Sequence, residues 1–215
     1  MDNRTYKLIN ICEKDINEIA QLHRKIFFNS FSSKLGSRYV KKMFEWFIIS
    51  EDRFIIGIQV NSAIVGYVGG ALGSGSTSGM LQHAYWQGVR SILLRPYLLL
   101  NSTLLSNWHI VIRNIARRIF SFRKDDLDKT KIKYQDNGFS SGLVVIGVDE
   151  SYRNMKLGSV LIKTFCDRSR ELNASFGHLS VKSTNNVAIN AYLRNGWEII
   201  SKDSNNVYLR VLLNE

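Results

Sequence analysis

The chain has 215 residues, enough for one domain with a sizeable core and too few for two domains joined by a linker. Its 45% hydrophobic content and single proline exclude a disordered or fibrous chain. The net charge is +11, and most of this excess lies in one stretch. Residues 53–124 hold eight basic residues and no acidic one, while the rest of the chain carries only +3.

The two cysteines, Cys12 and Cys166, form neither a CxxC pair nor a metal-ligand spacing. We therefore expect no disulfide framework and no metal, and a reducing compartment. No apolar run reaches the roughly 20 residues that a membrane-spanning helix needs, so the prediction is a cytoplasmic protein, with peripheral contact at the inner face of the membrane as an option.

The first 72 residues alternate between strand and helix patterns. Apolar residues recur at helical spacing from Ile16 to Phe27, and Asp15 stands where an N-cap is expected. The glycines at positions 69, 70, 73 and 75 are interpreted as a flexible exit from the last strand. The predicted elements are, in order, a strand Tyr6–Ile11, this helix, a helix Ser37–Ile49, and a hairpin of strands Arg53–Val60 and Ala63–Leu72.

Residues 80–133 interrupt this alternation. Apolar residues from Leu104 to Phe122 recur at helical spacing, with Arg113, Arg117 and Lys124 on the other side, which predicts a basic amphipathic helix. One or two shorter helices, divided near Pro96, are predicted before it, and residues 125–136 are predicted to be an exposed connector. The stretch is interpreted as an insertion.

Alternation resumes after the insertion. The apolar run Leu143–Val148 is typical of a strand covered on both faces. The predicted elements that follow are a helix carrying residues 160–172, a strand His178–Val181, a helix Asn186–Arg194, and an antiparallel pair Trp197–Ser201 and Val207–Leu212.

The segment between the apolar strand and the next helix indicates an anion site. A helix that begins directly after a tight loop leaves N–H groups without partners and directs the positive end of its dipole outward, which favours a pyrophosphate. Arg153 and Lys156 add positive charge there, and Gly158 allows close approach of the backbone.

These residues resemble two motifs of the GNAT N-acetyltransferase superfamily. Arg153-x-x-Lys156-x-Gly158 is similar to its acyl-CoA-binding loop, Gln/Arg-x-x-Gly-x-Gly/Ala. The sequence Asn185-x-x-Ala188-x-x-x-Tyr192-x-x-x-Gly196-Trp197 is similar to its second motif. Lys156 departs from the family pattern at the first glycine, where a left-handed backbone would cost a lysine roughly 1 kcal/mol.

The resemblance implies an α/β (α+β) GNAT-like fold, a mixed and mostly antiparallel central sheet flanked by helices, here with a helical insertion. It covers residues 140–212 well and residues 5–72 in the order of elements. The implied division is a single domain made of residues 1–79, the basic insertion 80–133 and an acyl-CoA-binding half 134–215.

By the same resemblance, acetyl-CoA is the co-substrate and donates its acetyl group directly to an amine. Tyr192 matches the general acid that protonates the departing thiolate, a role that a phenol with a pKa of about 10 suits. The implied cofactor-binding residues are Ile146, Gly147, Val148, Arg153, Asn154, Lys156, Leu157, Gly158, Ser159 and Asn185.

Several of these residues have structural interpretations as well. Tyr192 could only pack a helix on the sheet, and Asn185 could serve only as an N-cap. Asp149 and Glu150 are interpreted as solvated turn residues, and Cys166 as a core residue rather than a nucleophile. His23 lies on the inward stripe of its helix and is interpreted as a satisfied buried histidine, with a substrate contact or base as the alternative.

The acceptor side of the groove is expected near residues 28–34, so His23, Phe28 and Phe31 are the candidate substrate contacts. The segment 28–36 and the end of the second motif are similar to GNAT members linked to surface-sugar biosynthesis, which implies an amino-sugar acceptor. The basic insertion has four interpretations: a cover that holds an anionic acceptor, a membrane-surface helix, a dock for acyl carrier protein, or a packed helix with a solvated face.

The leading hypothesis is therefore an acetyl-CoA-dependent N-acetyltransferase acting on a small-molecule amine. Two alternatives remain, a non-catalytic module that binds a membrane or an acidic partner, and an N-acyltransferase that uses acyl-carrier-protein donors. Nucleic acid is not an expected partner, because no binding motif accompanies the charge. The sequence predicts no oligomeric state.

Overall fold

A computed structural model describes residues 6–73, 76–94 and 139–213. In this part of the chain seven strands form one sheet in the order β1-β2-β3-β4-β5-β7-β6. All neighbours pair antiparallel except β4 and β5. The strands are β1 Lys7–Asn10, β2 Arg53–Val60, β3 Ala63–Leu72, β4 Ser140–Val148, β5 Phe176–Lys182, β6 Glu198–Lys202 and β7 Asn206–Leu212. The predicted mixed, mostly antiparallel sheet with flanking helices is confirmed.

Helices cover both faces of the sheet. The described helices are α1 Ile16–Ile26, α2 Phe31–Lys34, α3 Ser37–Ile48, α4 Ser76–His83, α5 Tyr85–Leu94, α6 Leu157–Glu171 and α7 Asn186–Arg194. Alternate residues of β2 point to opposite faces, so Ile55 joins a core with α1 and α3, while Phe54 and Ile56 join a core with α6 and α7. The sheet therefore separates two hydrophobic cores.

Most predicted elements of the N-terminal half are confirmed to within one or two residues. The short helix α2 was missed, because a four-residue helix has no periodicity to detect; Ser30 caps it by accepting a hydrogen bond from the N–H of Ser33 at 3.2 Å. The N-cap role of Asp15 was wrong, since its carboxylate accepts the N–H of Cys12 at 3.0 Å rather than capping α1.

The glycines interpreted as a flexible exit include two that lie within β3. Gly69 and Gly70 are paired with both β2 and β4. A Cβ on Gly70 would lie 2.4 Å from the ring of Phe54 and 2.7 Å from that of Phe165, and one on Gly69 would lie 2.8 Å from that of Phe47. These glycines are needed for close packing on both faces, and the interpretation as a loop was wrong there.

Two helices, α4 and α5, lie where shorter helices were predicted, and they are divided at Ala84. The predicted division near Pro96 lies outside the described residues. The predicted amphipathic helix of residues 104–124 and the connector 125–136 lie outside the described residues. In the described ranges, no helix combines the length and the apolar character needed to cross a membrane.

Candidate active site

The central feature of the site is the edge of β4 that faces β5. The two strands pair in parallel only at residues 140–142 of β4, and then they diverge. Ile146 and Val148 are half-buried there and Gly147 is buried. The prediction of a strand covered on both faces is confirmed, since Val144 and Val145 pack against one core and Leu143, Ile146 and Val148 against the other. Their burial is only partial beyond the point where the pairing with β5 ends. An open backbone edge in the middle of a sheet can bind an extended ligand through main-chain hydrogen bonds.

The loop after β4 presents a row of free backbone donors. In the described residues, the N–H groups of Ser151, Tyr152 and Arg153 bond back to the turn that begins at Asp149. Those of Ser159 and Val160 bond to the carbonyl of Lys156. The five consecutive N–H groups from 154 to 158 have no acceptor in these described ranges. They lead into the positive end of α6, which is suited to a phosphate or pyrophosphate.

The backbone of this loop is left-handed at two positions. Asn154 has φ of 67° and Lys156, the N-cap of α6, has φ of 57°. Asparagine tolerates this conformation, whereas lysine at this position costs about 1 kcal/mol. Lys156 therefore has a backbone conformation that favours glycine. It occupies the position of the first glycine in the family pattern, where a left-handed backbone was considered.

Gly158 leaves open space in front of the free donors. A Cβ built on this residue would meet no atom within 4 Å. The glycine is therefore not required by packing inside the described part of the chain. A ligand that approaches the N–H groups from outside would use this space, which is the fit that an acyl-CoA pyrophosphate requires.

Asp149 connects the loop to the first helix. Its carboxylate accepts a hydrogen bond from the Lys25 ammonium at 2.7 Å and another from the N–H of Ser151 at 3.0 Å. Burial alone would raise the pKa of Asp149, but these two donors lower it below its usual value. The interpretation of Asp149 as a solvated turn residue was wrong, because a buried carboxylate joins β4 to α1 here.

The exposed charges of the loop are partly paired. Arg153 contacts Glu150 at 2.9 Å, and both side chains face solvent. Glu150 is therefore a solvated turn residue, as predicted. A surface ion pair of this kind contributes little to stability, so Arg153 can exchange Glu150 for a phosphate at small cost.

The helix α7 lies beside α6 and is linked to it. The side-chain amide of Asn195 donates to Ser159 Oγ at 3.1 Å and to the carbonyl of Ala191 at 2.7 Å. Asn185 caps α7 by accepting the N–H of Ala188 at 3.2 Å, which confirms its N-cap interpretation. The link through Asn195 was missed, since its only sequence signal was a helix end.

Tyr192 is buried on α7, with its ring centroid 5.6 Å from that of Trp197. Burial raises the pKa of Tyr192 well above its usual value. Its hydroxyl has no hydrogen-bond partner in the described ranges. The phenol therefore stays protonated at neutral pH and keeps its proton available for a ligand.

His23 lies in a buried network on the other side of the sheet. Its Nδ1 is 2.6 Å from the hydroxyl of Tyr67, and its Nε2 is 3.2 Å from Ser32 Oγ. Burial lowers the pKa of His23 to about 4, so the ring is neutral at pH 7. This is the satisfied buried histidine that the sequence indicated. The Tyr67 hydroxyl in turn lies 3.2 Å from the position of a Cβ on Gly147, which places the network against β4.

The remaining candidate residues differ in how far their side chains are exposed to solvent. Phe28, between α1 and α2, is 69% exposed, whereas Phe31 packs against the core of α1 and α3. Cys166 is buried in α6 and burial raises its pKa to about 11, as expected for a core thiol. Within the described ranges, no three His, Cys, Asp or Glu side chains are grouped so that they could hold a metal ion.

Comparison with known proteins gives a family match for one segment of the chain. Residues 129–197 match the family model described as Acetyltransferase (GNAT) family. This range contains β4, the loop at residues 149–158 that carries the free N–H groups (the donor loop), and α7. No curated protein sequence matches the chain.

Solved structures match the whole chain at low sequence identity. NAA60 of Arabidopsis thaliana in complex with acetyl-CoA is 15% identical with a TM-score of 0.58, covering 98% of this chain and 100% of that one. PaiA N-acetyltransferase of Thermoplasma acidophilum in complex with coenzyme A is 10% identical with a TM-score of 0.58, covering 97% and 99%. The ribosomal-protein-S18-alanine N-acetyltransferase of Escherichia coli is 11% identical with a TM-score of 0.57, covering 98% and 96%. The chain therefore has the GNAT fold, and its residues 129–197 match the model of the Acetyltransferase (GNAT) family.

Proposed function

We propose that this protein is an N-acetyltransferase that moves an acetyl group from acetyl-CoA directly to a small-molecule amine. The observation that carries the proposal is the open edge of β4, which leads into five free N–H groups at residues 154–158. Two of the solved structures with this fold are complexes with acetyl-CoA or coenzyme A.

The donor is held by backbone groups in this proposal. The N–H groups at residues 154–158 bind the pyrophosphate, with Arg153 and Lys156 adding charge and Ser159 lying at the same helix terminus. Residues 146–148 hold the pantetheine arm and the acetyl carbonyl along the open strand edge. Asn185, at the start of α7, contacts the arm from the other side.

Tyr192 serves as the general acid. The amine nitrogen attacks the acetyl carbonyl carbon, the carbon–sulfur bond breaks, and the departing thiolate takes the proton of the Tyr192 hydroxyl. The phenol regains a proton from solvent, and the amine loses its own proton to water. Desolvation raises the pKa of the phenol, which keeps it protonated until the thiolate forms but also makes it a weaker acid than an exposed tyrosine.

The acceptor approaches from the turn between α1 and α2. Phe28 offers an exposed aromatic ring there, and Phe31 supports the turn from inside. His23 joins this turn to Tyr67 through Ser32, so we assign it to the acceptor side as a residue that positions the turn. We propose an amino sugar as the acceptor class and the cytoplasm as the compartment, where free thiols such as Cys12 and Cys166 persist.

The test incubates the full chain with acetyl-CoA and a panel of amino sugars, polyamines and peptides with free N-termini, and follows thiol release together with the mass of the product. We expect a product heavier by one acetyl group from at least one amino sugar. Turnover with polyamines or peptides alone would overturn the acceptor class. Acetyl-CoA that stays intact with every amine would overturn the proposed activity.

A further inference from the structure

The outer face of α5 carries large apolar side chains that no other described element covers. Trp86 and Leu93 are each 76% exposed and Leu94 is 69% exposed. Residues 86, 90 and 93 follow the i, i+4, i+7 spacing, so Trp86, Arg90 and Leu93 share one stripe, with Leu94 beside it. We call this stripe with Leu94 the α5 outer face.

The opposite side of α5 packs on the domain. Gly88 is buried, and a Cβ there would lie 3.3 Å from the ring of Tyr39 on α3. The helix is therefore held with its small-residue side inward and its largest apolar residues outward. Several large apolar side chains exposed on one helix face are typical of a surface that contacts a partner.

Two arginines lie beside this face. Arg38, at the start of α3, and Arg90 line one groove of about 240 Å³ together with Leu94. Neither arginine has an ion-pair partner in the described ranges. Residues 19–44 contain six basic residues and no acidic one, and the acid-free stretch 53–124 includes all of α5.

We propose that the α5 outer face binds an anionic lipid bilayer. Tryptophan and leucine side chains enter the headgroup and acyl boundary, and the arginines beside them contact lipid phosphates, which is how amphipathic helices bind in the plane of a membrane. Side chains that are three-quarters exposed project from the helix rather than line a shaped cavity, so a deformable lipid surface suits them better than a folded partner.

The proposal does not depend on acetyl transfer, and its test uses neither donor nor acceptor. The full chain is sedimented with vesicles of phosphatidylcholine alone or of equal parts phosphatidylcholine and phosphatidylglycerol. We expect the protein to pellet with the anionic vesicles and to be released as salt rises from about 0.1 M to about 1 M, where the screening length falls from about 10 Å to about 3 Å. Wild-type protein that stays in the supernatant with anionic vesicles would overturn the proposal.

Matched variants assign the binding to α5. Trp86→Ser with Leu93→Ser removes two exposed apolar groups and is expected to weaken vesicle affinity at least about tenfold. Leu212→Ser, at a 62% exposed position on β7, is the control and should bind like the wild type. Arg90→Glu should weaken binding more than Lys202→Glu, which makes the same charge change on β6. Equal binding by the α5 variants and their controls would contradict the assignment. A wild-type protein that is dimeric at assay concentration, and that the double variant makes monomeric, would also contradict it, because the α5 outer face would then bind a second copy of the chain.

Discussion

At the scale of single residues, the proposed chemistry depends on one buried phenol. Tyr192 packs against Trp197 and has no hydrogen-bond partner in the described ranges, so its hydroxyl contributes little to folding. Burial raises its pKa, which keeps the proton in place at neutral pH. A residue whose polar group is unused by the fold is free to serve the reaction.

Tyr192→Phe removes only that hydroxyl and keeps the ring. We expect the turnover number to fall by about 10² to 10⁴, the usual contribution of a positioned general acid. The free energy of unfolding should change by less than about 0.5 kcal/mol, because no hydrogen bond is lost. Steady-state thiol release and urea unfolding measure the two quantities. Unchanged turnover in this variant would show that another group, or water, protonates the thiolate.

The sequence predicted the residues of the donor loop because backbone donors need no particular side chains, only a strand, a tight turn and a helix start. Lys156 shows the strength of this reasoning: its left-handed φ of 57° follows from the glycine position it occupies in the motif. Asp149 shows the weakness. Its partner, Lys25, lies 124 residues earlier in the chain, and no local pattern indicates a contact of that range.

At the scale of elements, the site depends on how β4, α1 and α6 are held together. Asp149 ends β4, and its N–H donates to the carbonyl of Val65 on β3 at 2.8 Å. Its carboxylate binds both Lys25 of α1 and the turn that leads to α6. This single residue fixes the direction in which the donor loop leaves the sheet.

Asp149→Ala is expected to lower the free energy of unfolding by about 1–2 kcal/mol, since it removes a turn cap and an ion pair whose lysine is mostly exposed. The affinity for acetyl-CoA should fall as well, because the loop loses its fixed orientation. Glu150→Ala, at the neighbouring exposed position, is the control and should change stability by less than about 0.5 kcal/mol. Chemical unfolding and calorimetric titration report both effects. Equal stability of the two variants would contradict the role of Asp149.

The separation of β4 from β5 is an element-level feature that hydrophobic periodicity alone could not predict, although the GNAT resemblance implies that the fourth and fifth strands splay apart to make the groove. Leu143–Val148 is continuously apolar, and such a run indicates a strand without indicating how far its neighbour follows it. The register of β4 and β5 is set by pairs between residues 140–142 and 176–178, at the beginning of both strands. Whether β4 and β5 diverge after these pairs depends on tertiary packing, about which hydrophobic periodicity gives no information.

At the scale of the whole molecule, one sheet has a hydrophobic core on each face, and a buried polar network lies within one of these cores. His23, Tyr67 and Ser32 form that network on the side of α1 and α3. Because burial lowers the pKa of His23 to about 4, the folded state disfavours its protonation. The unfolded chain, with an ordinary histidine pKa of about 6.5, takes up the proton first.

The free energy of unfolding should therefore fall as the pH falls from about 6.5 to about 4, by about 3 kcal/mol from His23 alone. His23→Gln cannot titrate, so its stability should depend less steeply on pH over this window, although it is less stable at pH 7. His83 and His178, whose pKa values are also lowered by burial, remain in both proteins, so the difference between the two profiles isolates His23. Parallel profiles would contradict the buried neutral histidine.

The order of elements and the placement of the motifs were predictable because strand and helix periodicity are local. The insertion was inferred from a change of pattern, and it stays a prediction together with its role, because its amphipathic helix lies outside the described residues. The exposed side chains of α5 were not predicted, because the short apolar sequence before Pro96 does not indicate which side of its helix faces the domain.

The most direct test of the central claim is the dissociation constant of acetyl-CoA measured by calorimetric titration for wild type and Gly158→Val. A Cβ at position 158 would meet no atom within 4 Å, so we expect the fold to tolerate valine there while its methyl groups fill the space before the free N–H groups. We predict at least about tenfold weaker binding by the variant, or 1.4 kcal/mol, with an unchanged or slightly higher unfolding midpoint. Equal affinity in the two proteins would contradict donor binding at this loop.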